Sequence, residues 1–314
     1  MMLYTPFKPM EPVMASGVPP ASDLLYQVKW DGVRMLAHVG HGKIMLHNRK
    51  LRQRTGHYPE LSRLGQLLQG EAILDGEIVA LKDGRPSFPL ILERDLIGGS
   101  GEPDPGKVRQ RARQIPVFYM VFDLIYHNGR DLTALPLYQR QALLAEILPK
   151  DEAVQTVENF ADGEALFAAV SENKMEGIVA KEPSSLYQRG KKNAAWKKIK
   201  VRQRQLVAIG GYTVKDGQIN ALLAGAYHQG QLIYVGRVAT GLSGQDIREL
   251  TPFLKETLQT APPFVNASPA RDKAWVEPRL VALIDFQEWT EDLRMRQPVI
   301  KGFTKDRPED CVLQ

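Results

Sequence analysis

Between Leu24 and Lys181 the chain is a succession of short apolar runs, most of them bounded by Gly or Asp, with helices that do not fall regularly between them. Leu24 to Val28, Arg34 to Val39, Lys43 to His47, Ile73 to Leu81, Phe118 to Tyr126 and Gly177 to Lys181 are short and β-branched or alternating, and predict strands. Leu137 to Leu148 and Glu164 to Asn173 carry apolar residues at helical spacing. A doubly wound parallel sheet needs a helix after each strand, so this mixture predicts an α+β region with antiparallel sheets. Asp83 to Arg113, rich in Gly, Pro and charge, is expected to be a long exposed excursion.

After Arg204 the pattern changes to shorter apolar strands separated by Gly turns: Leu206 to Tyr212, Ala221 to His228, Leu232 to Val238 and Leu280 to Trp289, with one helix from Ser243 to Phe253. Ala261 to Pro269, with its prolines, reads as a loop. A small barrel of about five strands with one helix fits this region, and such barrels commonly bind nucleic acid. A chain of 314 residues suits two domains. The division is expected between residues 1–203 and 204–314.

The longest apolar run, Ile115 to Phe122, is broken by Asp123 and falls short of the roughly 18 to 20 residues that a membrane-spanning helix needs. The N-terminal stretch lacks a basic head followed by an apolar core, so no secretory signal is expected. The single cysteine, Cys311, excludes an internal disulfide and a Cys-cluster zinc site. These features point to a cytoplasmic protein. The formal charge of +5 is unevenly spread: residues 1–204 hold 29 Lys and Arg against 23 Asp and Glu, residues 205–314 hold 12 against 13. Acid-free runs occur at Arg49, Lys50, Arg52 and Arg54, at Lys107, Arg109, Arg111 and Arg113, and from Arg189 to Arg204. Together they suit a polyanion with a phosphate backbone, although each alone reads equally well as a solvated loop.

Phosphate motifs of the Gly-Lys-Ser/Thr and GxGxxG kinds are missing. Present instead is Lys29-Trp30-Asp31-Gly32-Val33-Arg34, where a strand meets a Gly turn. A lysine fixed by such a turn is placed as a nucleophile must be, and it attacks only as the neutral amine, which neighbouring cations or desolvation favour. Leu74-Asp75-Gly76-Glu77-Ile78-Val79 sets a carboxylate at a strand mouth, and Glu176 and Lys181 bracket Gly177-Ile178-Val179-Ala180. In Trp196-Lys197-Lys198-Ile199-Lys200, Lys198 and Lys200 share one strand face and repel unless an anion, or solvent, lies between them. Taken singly, each segment is also a charged Gly turn or a surface hairpin. Jointly, a nucleophilic lysine, two carboxylates able to hold a divalent metal and a lysine pair for a phosphate form a set for phosphoryl transfer through a covalent intermediate.

The order of these segments resembles the covalent nucleotidyltransferase superfamily and, within it, the ATP-dependent DNA ligases. The chain is most similar to the ligase domain of bacterial end-joining ligases. The resemblance runs on through Gly210-Gly211-Tyr212, Tyr234-Val235-Gly236-Arg237 and Trp275-Val276-Glu277-Pro278 to Glu288-Trp289-Thr290. It implies an adenylation domain followed by an OB-fold barrel that closes over ATP and then turns to clamp DNA. By the same resemblance, Lys29 attacks the α-phosphate of ATP, releases pyrophosphate and holds AMP as a phosphoramidate. AMP then passes to the 5′-phosphate at a nick, and the 3′-hydroxyl displaces it. Arg34 and Glu77 contact the ribose, Gln27 and Phe122 the adenine, and Arg49 the nucleotide or nick phosphate. Lys181 and Lys198 hold the α-phosphate with help from Lys200, while Glu77 and Glu176 bind Mg2+ or Mn2+.

Implied partners are nicked double-stranded DNA and a DNA-end-binding protein. The implied setting is a monomer, not membrane-bound, in the bacterial cytoplasm at the nucleoid, serving DNA repair or end joining. With no further DNA-binding, polymerase or nuclease domain expected, the two domains and such partners would supply nick affinity. Position 27, usually Glu in close relatives, is Gln27, whose amide oxygen can still accept from the adenine amine. The terminal Arg-x-Asp-Lys motif reads Thr304-Lys305-Asp306-Arg307, so Lys305 would stand in for the missing arginine and self-adenylation is expected to be slow. Residues 83–113 follow the family poorly and receive no role beyond DNA contact. The competing readings are an RNA ligase, a capping guanylyltransferase that shares the lysine chemistry, and a nucleic-acid-binding scaffold. The Trp275 to Thr290 segment favours DNA, and the presence of Lys29, Glu77, Glu176, Lys181 and Lys198 together counts against a scaffold.

Overall fold

A computed structural model describes residues 3–20, 23–98, 103–267, 272–290 and 292–313. The chain divides into two compact units, Met1–Val201 and Arg202–Gln314. Among the described residues, no helix is long and apolar enough to cross a membrane.

The first unit holds two sheets. The larger orders Lys43–Asn48, Val33–Gly40, Ala72–Lys82, Val117–His127 and Arg130–Asp131, antiparallel throughout, with Val154–Thr156 added parallel to Val117–His127. The smaller orders Glu11–Met14, Lys192–Lys200, Gly177–Lys181 and Leu25–Val28. It is antiparallel except that Glu11–Met14 lies parallel to Lys192–Lys200. The predicted strands all form, because each bounded apolar run has a neighbour of matching period to bury it. The helices Leu137–Ile147 and Gly163–Glu172 also form, the second capped by Asp162, whose carboxylate accepts from the Ala165 N–H at 2.9 Å. A cluster that includes Met10, Leu36, Ile73, Ile125, Tyr187 and Trp196 joins side chains of both sheets. Each such large side chain contributes about 1.5–3 kcal/mol on burial.

The segment expected to be an exposed excursion is instead two helices, Phe88–Asp95 and Pro105–Gln114, with residues 99–102 of that reading outside the described residues. Its charges misled because two of them are buried. Arg94 is fully enclosed and donates to Glu60, to Ile115 O at 2.6 Å and to His57 O at 3.0 Å, while Asp95 accepts from the Tyr58 hydroxyl at 3.0 Å. Lys107, Arg109, Arg111 and Arg113 remain exposed on the second helix.

The second unit is built on one sheet in the order Gln231–Val238, Gln218–His228, Gln203–Lys215, Lys273–Phe286 and Leu258–Gln259, with Val299–Thr304 also paired to Lys273–Phe286. A bridge between Thr240 and Val299 brings its edges together as a small barrel. The helix Gly244–Glu256 carries a capping box, with Ser243 and Asp246 each accepting from the other's backbone N–H. Val299–Thr304 had no counterpart among the predicted strands. Of the loop expected from Ala261 to Pro269, residues 268 and 269 lie outside the described residues.

Candidate active site

In the smaller sheet Gln27 lies opposite Val179 and Val179 opposite Lys198, Lys181 lies opposite Trp196, and Gly177 lies opposite Lys200. Side chains alternate across a strand, so Gln27, Val179, Lys181, Trp196, Lys198 and Lys200 share one face. Lys29 follows one residue past its strand, held by a bond from its N–H to Gly177 O at 2.9 Å. Glycine is needed at two of these turns. A Cβ on Gly32 would sit 2.2 Å from Ile78 O, and one on Gly177, whose φ is +147°, would sit 2.1 Å from Ile199 O.

The larger sheet supplies the facing groups. Arg34 lies opposite Glu77 in the register. Its guanidinium grips Asp75 with two bonds of 2.9 and 2.6 Å, and the Tyr187 hydroxyl donates to the same carboxylate at 2.5 Å. Arg34 also lies over the Phe122 ring, 4.9 Å from its centroid. Residues of both sheets line one cavity of about 430 Å³, among them Gln27, Lys29, Arg34, Glu77, Phe122, Lys181 and Lys198. Arg49 stands at its edge, exposed and 3.7 Å from the carboxylate of Glu11. A volume of this order, with an aromatic side chain and several cations in its wall, suits a nucleotide.

Lys181 is 2% exposed, and its Nζ has no hydrogen-bond partner. It lies 4.3 Å from the Phe122 ring centroid and 4.1 Å from that of Trp196. Burial pulls its pKa down to about 7, with Asp123 opposing. A buried amine in the cavity wall with its hydrogen-bonding capacity unspent is suited to an anionic ligand. Burial also lowers the Lys198 pKa, and the charges of Lys29 and Lys200 lower it further.

Glu176 carries a different arrangement. Its Oε2 pairs with Lys29 and its Oε1 with Lys200 at 2.7 Å. Burial would push Glu176 up, but Lys29 and Lys200 together hold it below the usual carboxylate range. Glu77 is pushed up to about 8 by burial, against Lys29 and Arg34. Among the described residues no three His, Cys, Asp or Glu side chains cluster as a resident metal site. Glu77 in the cavity wall and Glu176 beside Lys29 are oxygen donors of the kind that would hold a divalent cation such as Mg2+.

Each residue that the resemblance assigns to the nucleotide or the metal therefore lies in or beside one cavity, Glu176 reaching it through Lys29 and Lys200 through Glu176. Four partners were missed. Asp75 orients Arg34, and its place two residues before Glu77 in one strand was a usable signal. Tyr187, Asn159, which accepts from Gln27, and Gln141, which accepts from Asn159, gave no local signal. In the second unit, Thr304 ends a strand with its hydroxyl buried and unpartnered, Lys305 is exposed, and the Arg307 guanidinium is taken by Asp310 at 3.0 Å.

Comparison with known proteins matches residues 1–200 to the ATP dependent DNA ligase domain and residues 215–307 to the ATP dependent DNA ligase C terminal region. The chain is 33% identical over 302 residues to the multifunctional non-homologous end joining DNA repair protein LigD of Mycobacterium tuberculosis, covering 93% of this chain and 38% of that protein. It is 30% identical over 313 residues to LigD of Pseudomonas aeruginosa, covering 95% and 36%. The chain thus spans about two-fifths of the length of these relatives. Among solved structures, the ligase domain of the M. tuberculosis LigD matches with a TM-score of 0.53 at 31% identity over 98% of both chains. A Lig E DNA ligase shares the fold, with a TM-score of 0.60 at 14% identity, over 94% of this chain and 100% of that one.

Proposed function

The chain belongs to the ATP-dependent DNA ligases, and from that membership we propose that it seals nicks in double-stranded DNA through an AMP carried on Lys29. The observation that carries this reading is the convergence of Lys29, Glu77, Phe122, Lys181 and Lys198 on one cavity of nucleotide size. Phe122 offers a ring for the base, and Lys181 and Lys198 offer charge to the α-phosphate. Lys29 attacks the α-phosphorus as the free amine, so its ion pair with Glu176 opens before the N–P bond forms and the bond to pyrophosphate breaks. Glu77 and Glu176 would hold a divalent ion, which would supply neutralisation of phosphoryl oxygen charge. Arg34, its orientation set by Asp75, faces the ribose, and Arg49 at the edge of the cavity meets the nick phosphate. Residues 1–203 serve adenylation and residues 204–314 form the barrel that engages the duplex. We place the protein in the bacterial cytoplasm at the nucleoid, as a monomer that works in end joining beside a DNA-end-binding partner.

The substrate is tested by offering the protein ATP, Mg2+ and a duplex with one 5′-phosphorylated nick, made in DNA or in RNA. Sealing of the DNA nick in preference to the RNA nick is expected, and the reverse preference would favour an RNA ligase. A pH dependence follows from Lys181. In the free protein it titrates at about 7, and a phosphate beside it raises that value. Above pH 7 binding must therefore bring a proton, so affinity falls as pH rises, by up to about tenfold per pH unit, until the pKa of the complex is reached. Titration calorimetry of ATP into the Lys29→Ala variant between pH 7 and 9 measures this. Lys181→Met is expected to bind more weakly and with a flatter profile, and an unchanged slope in that variant would contradict the assignment.

A further inference from the structure

Gln27 sits at the start of a chain of side-chain amides whose polarity is fixed at its far end. Gln141 donates from its Nε2 to the backbone carbonyl of Phe122 at 3.2 Å. A carbonyl only accepts, so the other end of that amide, Oε1, is turned toward Asn159 and accepts from its Nδ2 at 2.9 Å. Asn159 Oδ1 in turn accepts from Gln27 Nε2 at 2.8 Å, and Val157 O is a second acceptor for Gln27 Nε2 at 3.5 Å. The donor end of Gln27 is thereby occupied. Gln27 is 2% exposed and lines the nucleotide cavity, and among the described residues nothing donates to its Oε1.

We propose that Asn159 and Gln141 act as positioning residues that hold Gln27 with its acceptor end toward the purine and so select a 6-amino purine against a 6-oxo purine. This deepens the ligase reading and rests on it. An unsupported glutamine can turn its amide over and meet either a donor or an acceptor, so residue 27 alone confers little choice between the two bases. With its Nε2 held by Asn159, the same amide meets the adenine 6-amino group as an acceptor and confronts a 6-oxo group with a second acceptor. The relay begins at the carbonyl of Phe122, the residue whose ring is placed for stacking, so base stacking and base identity share one anchor.

The test compares self-adenylation with self-inosinylation, using ATP and ITP under the same conditions and reading the covalent adduct by intact mass over time. The parent is expected to favour ATP by about 10- to 100-fold in the rate at low nucleotide concentration, the range for one hydrogen bond exchanged for an acceptor clash. Asn159→Leu should bring that ratio near one, chiefly through better use of ITP. Asn159→Asp, which can still accept from Gln27, should keep the preference. In the Gln27→Glu background, where both oxygens accept and no polarity remains to be set, Asn159→Leu should leave the ratio unchanged. A merely structural loss slows both nucleotides alike and does not move the ratio. A parent ratio near one, or a ratio unmoved by Asn159→Leu, overturns the relay while leaving the ligase reading standing. No adduct from either triphosphate overturns both.

Discussion

Lys29→Ala is expected to abolish ATP-driven joining of a nicked duplex, by about 10⁴-fold or more, while a nick supplied with AMP already on its 5′-phosphate is still sealed. The two halves of this result separate the roles that the structure gives to one site. Lys29 stands one residue past a strand end, its backbone tied to Gly177 and its side chain in the cavity wall, whereas Lys200, which also pairs with Glu176, does not line the cavity, so no neighbouring lysine replaces Lys29 as the carrier of AMP. Lys198 is on the same face, but it projects from the middle of the strand Lys192–Lys200, and Lys181 is buried against two aromatic rings. The last reaction needs no enzyme-bound AMP. It needs charge beside the phosphate being displaced, and Lys181 and Lys198 keep that charge in the variant. Gel separation of ligated strands, with ATP or with the pre-adenylated nick, reads both arms. Loss of both arms together with an unchanged melting temperature would show that Lys29 has a second role in the sealing step.

Arg140→Met is expected to cost the first unit about 3–5 kcal/mol, because it leaves the buried carboxylate of Asp123 without its counter-charge. Both side chains are wholly enclosed. Arg140 meets Asp123 with two bonds of 2.8 Å and spends its remaining nitrogen on Leu135 O at 2.5 Å and Ser185 O at 3.0 Å. The pair fixes the strand segment next to Phe122 and ties it to the loop before Trp196, so its loss loosens the base-stacking wall as well. For a unit of this size the melting temperature should drop by on the order of 10 °C, read by differential scanning calorimetry. Replacing both partners, Arg140→Met with Asp123→Leu, should recover much of that loss, since it removes the stranded charge. A single variant that melts within about 2 °C of the parent would mean that water reaches Asp123 and screens it.

The strands were legible in the sequence wherever an apolar run of suitable length met a Gly or Asp boundary, which is why Gly177–Lys181 was read to the residue and Ala72–Lys82 to within one at each end. The helices Phe88–Asp95 and Pro105–Gln114 were not. Their stretch is dense in charge, and charge signals exposure unless its partner is known. The partners of Arg94 are Glu60, His57 and Ile115, none of them close enough in sequence to be paired with it by inspection. The site shows the same division. Lys29, Glu77, Glu176, Lys181 and Lys198 stand in short segments whose residue types carry chemistry by themselves. The contacts that orient the site, Asp75 with Arg34 and Tyr187, and Gln27 with Asn159 and Gln141, join strands and loops that only folding brings together. Arg34 is the instructive case: its motif proposed a ribose contact, and the structure adds the carboxylate of Asp75 that holds two of its three nitrogens and so orients it.

The most direct measurement is the intact mass of the purified protein after incubation with ATP and Mg2+ in the absence of DNA, beside that of Lys29→Ala. Mass equal to one added AMP in the parent, absent in the variant and lost when nicked DNA is then supplied, is the expected result. An unmodified parent, after pyrophosphate has been removed and Mn2+ tried, would contradict a lysyl-adenylate enzyme and would point to the Thr304 to Arg307 segment as the place where self-adenylation has failed.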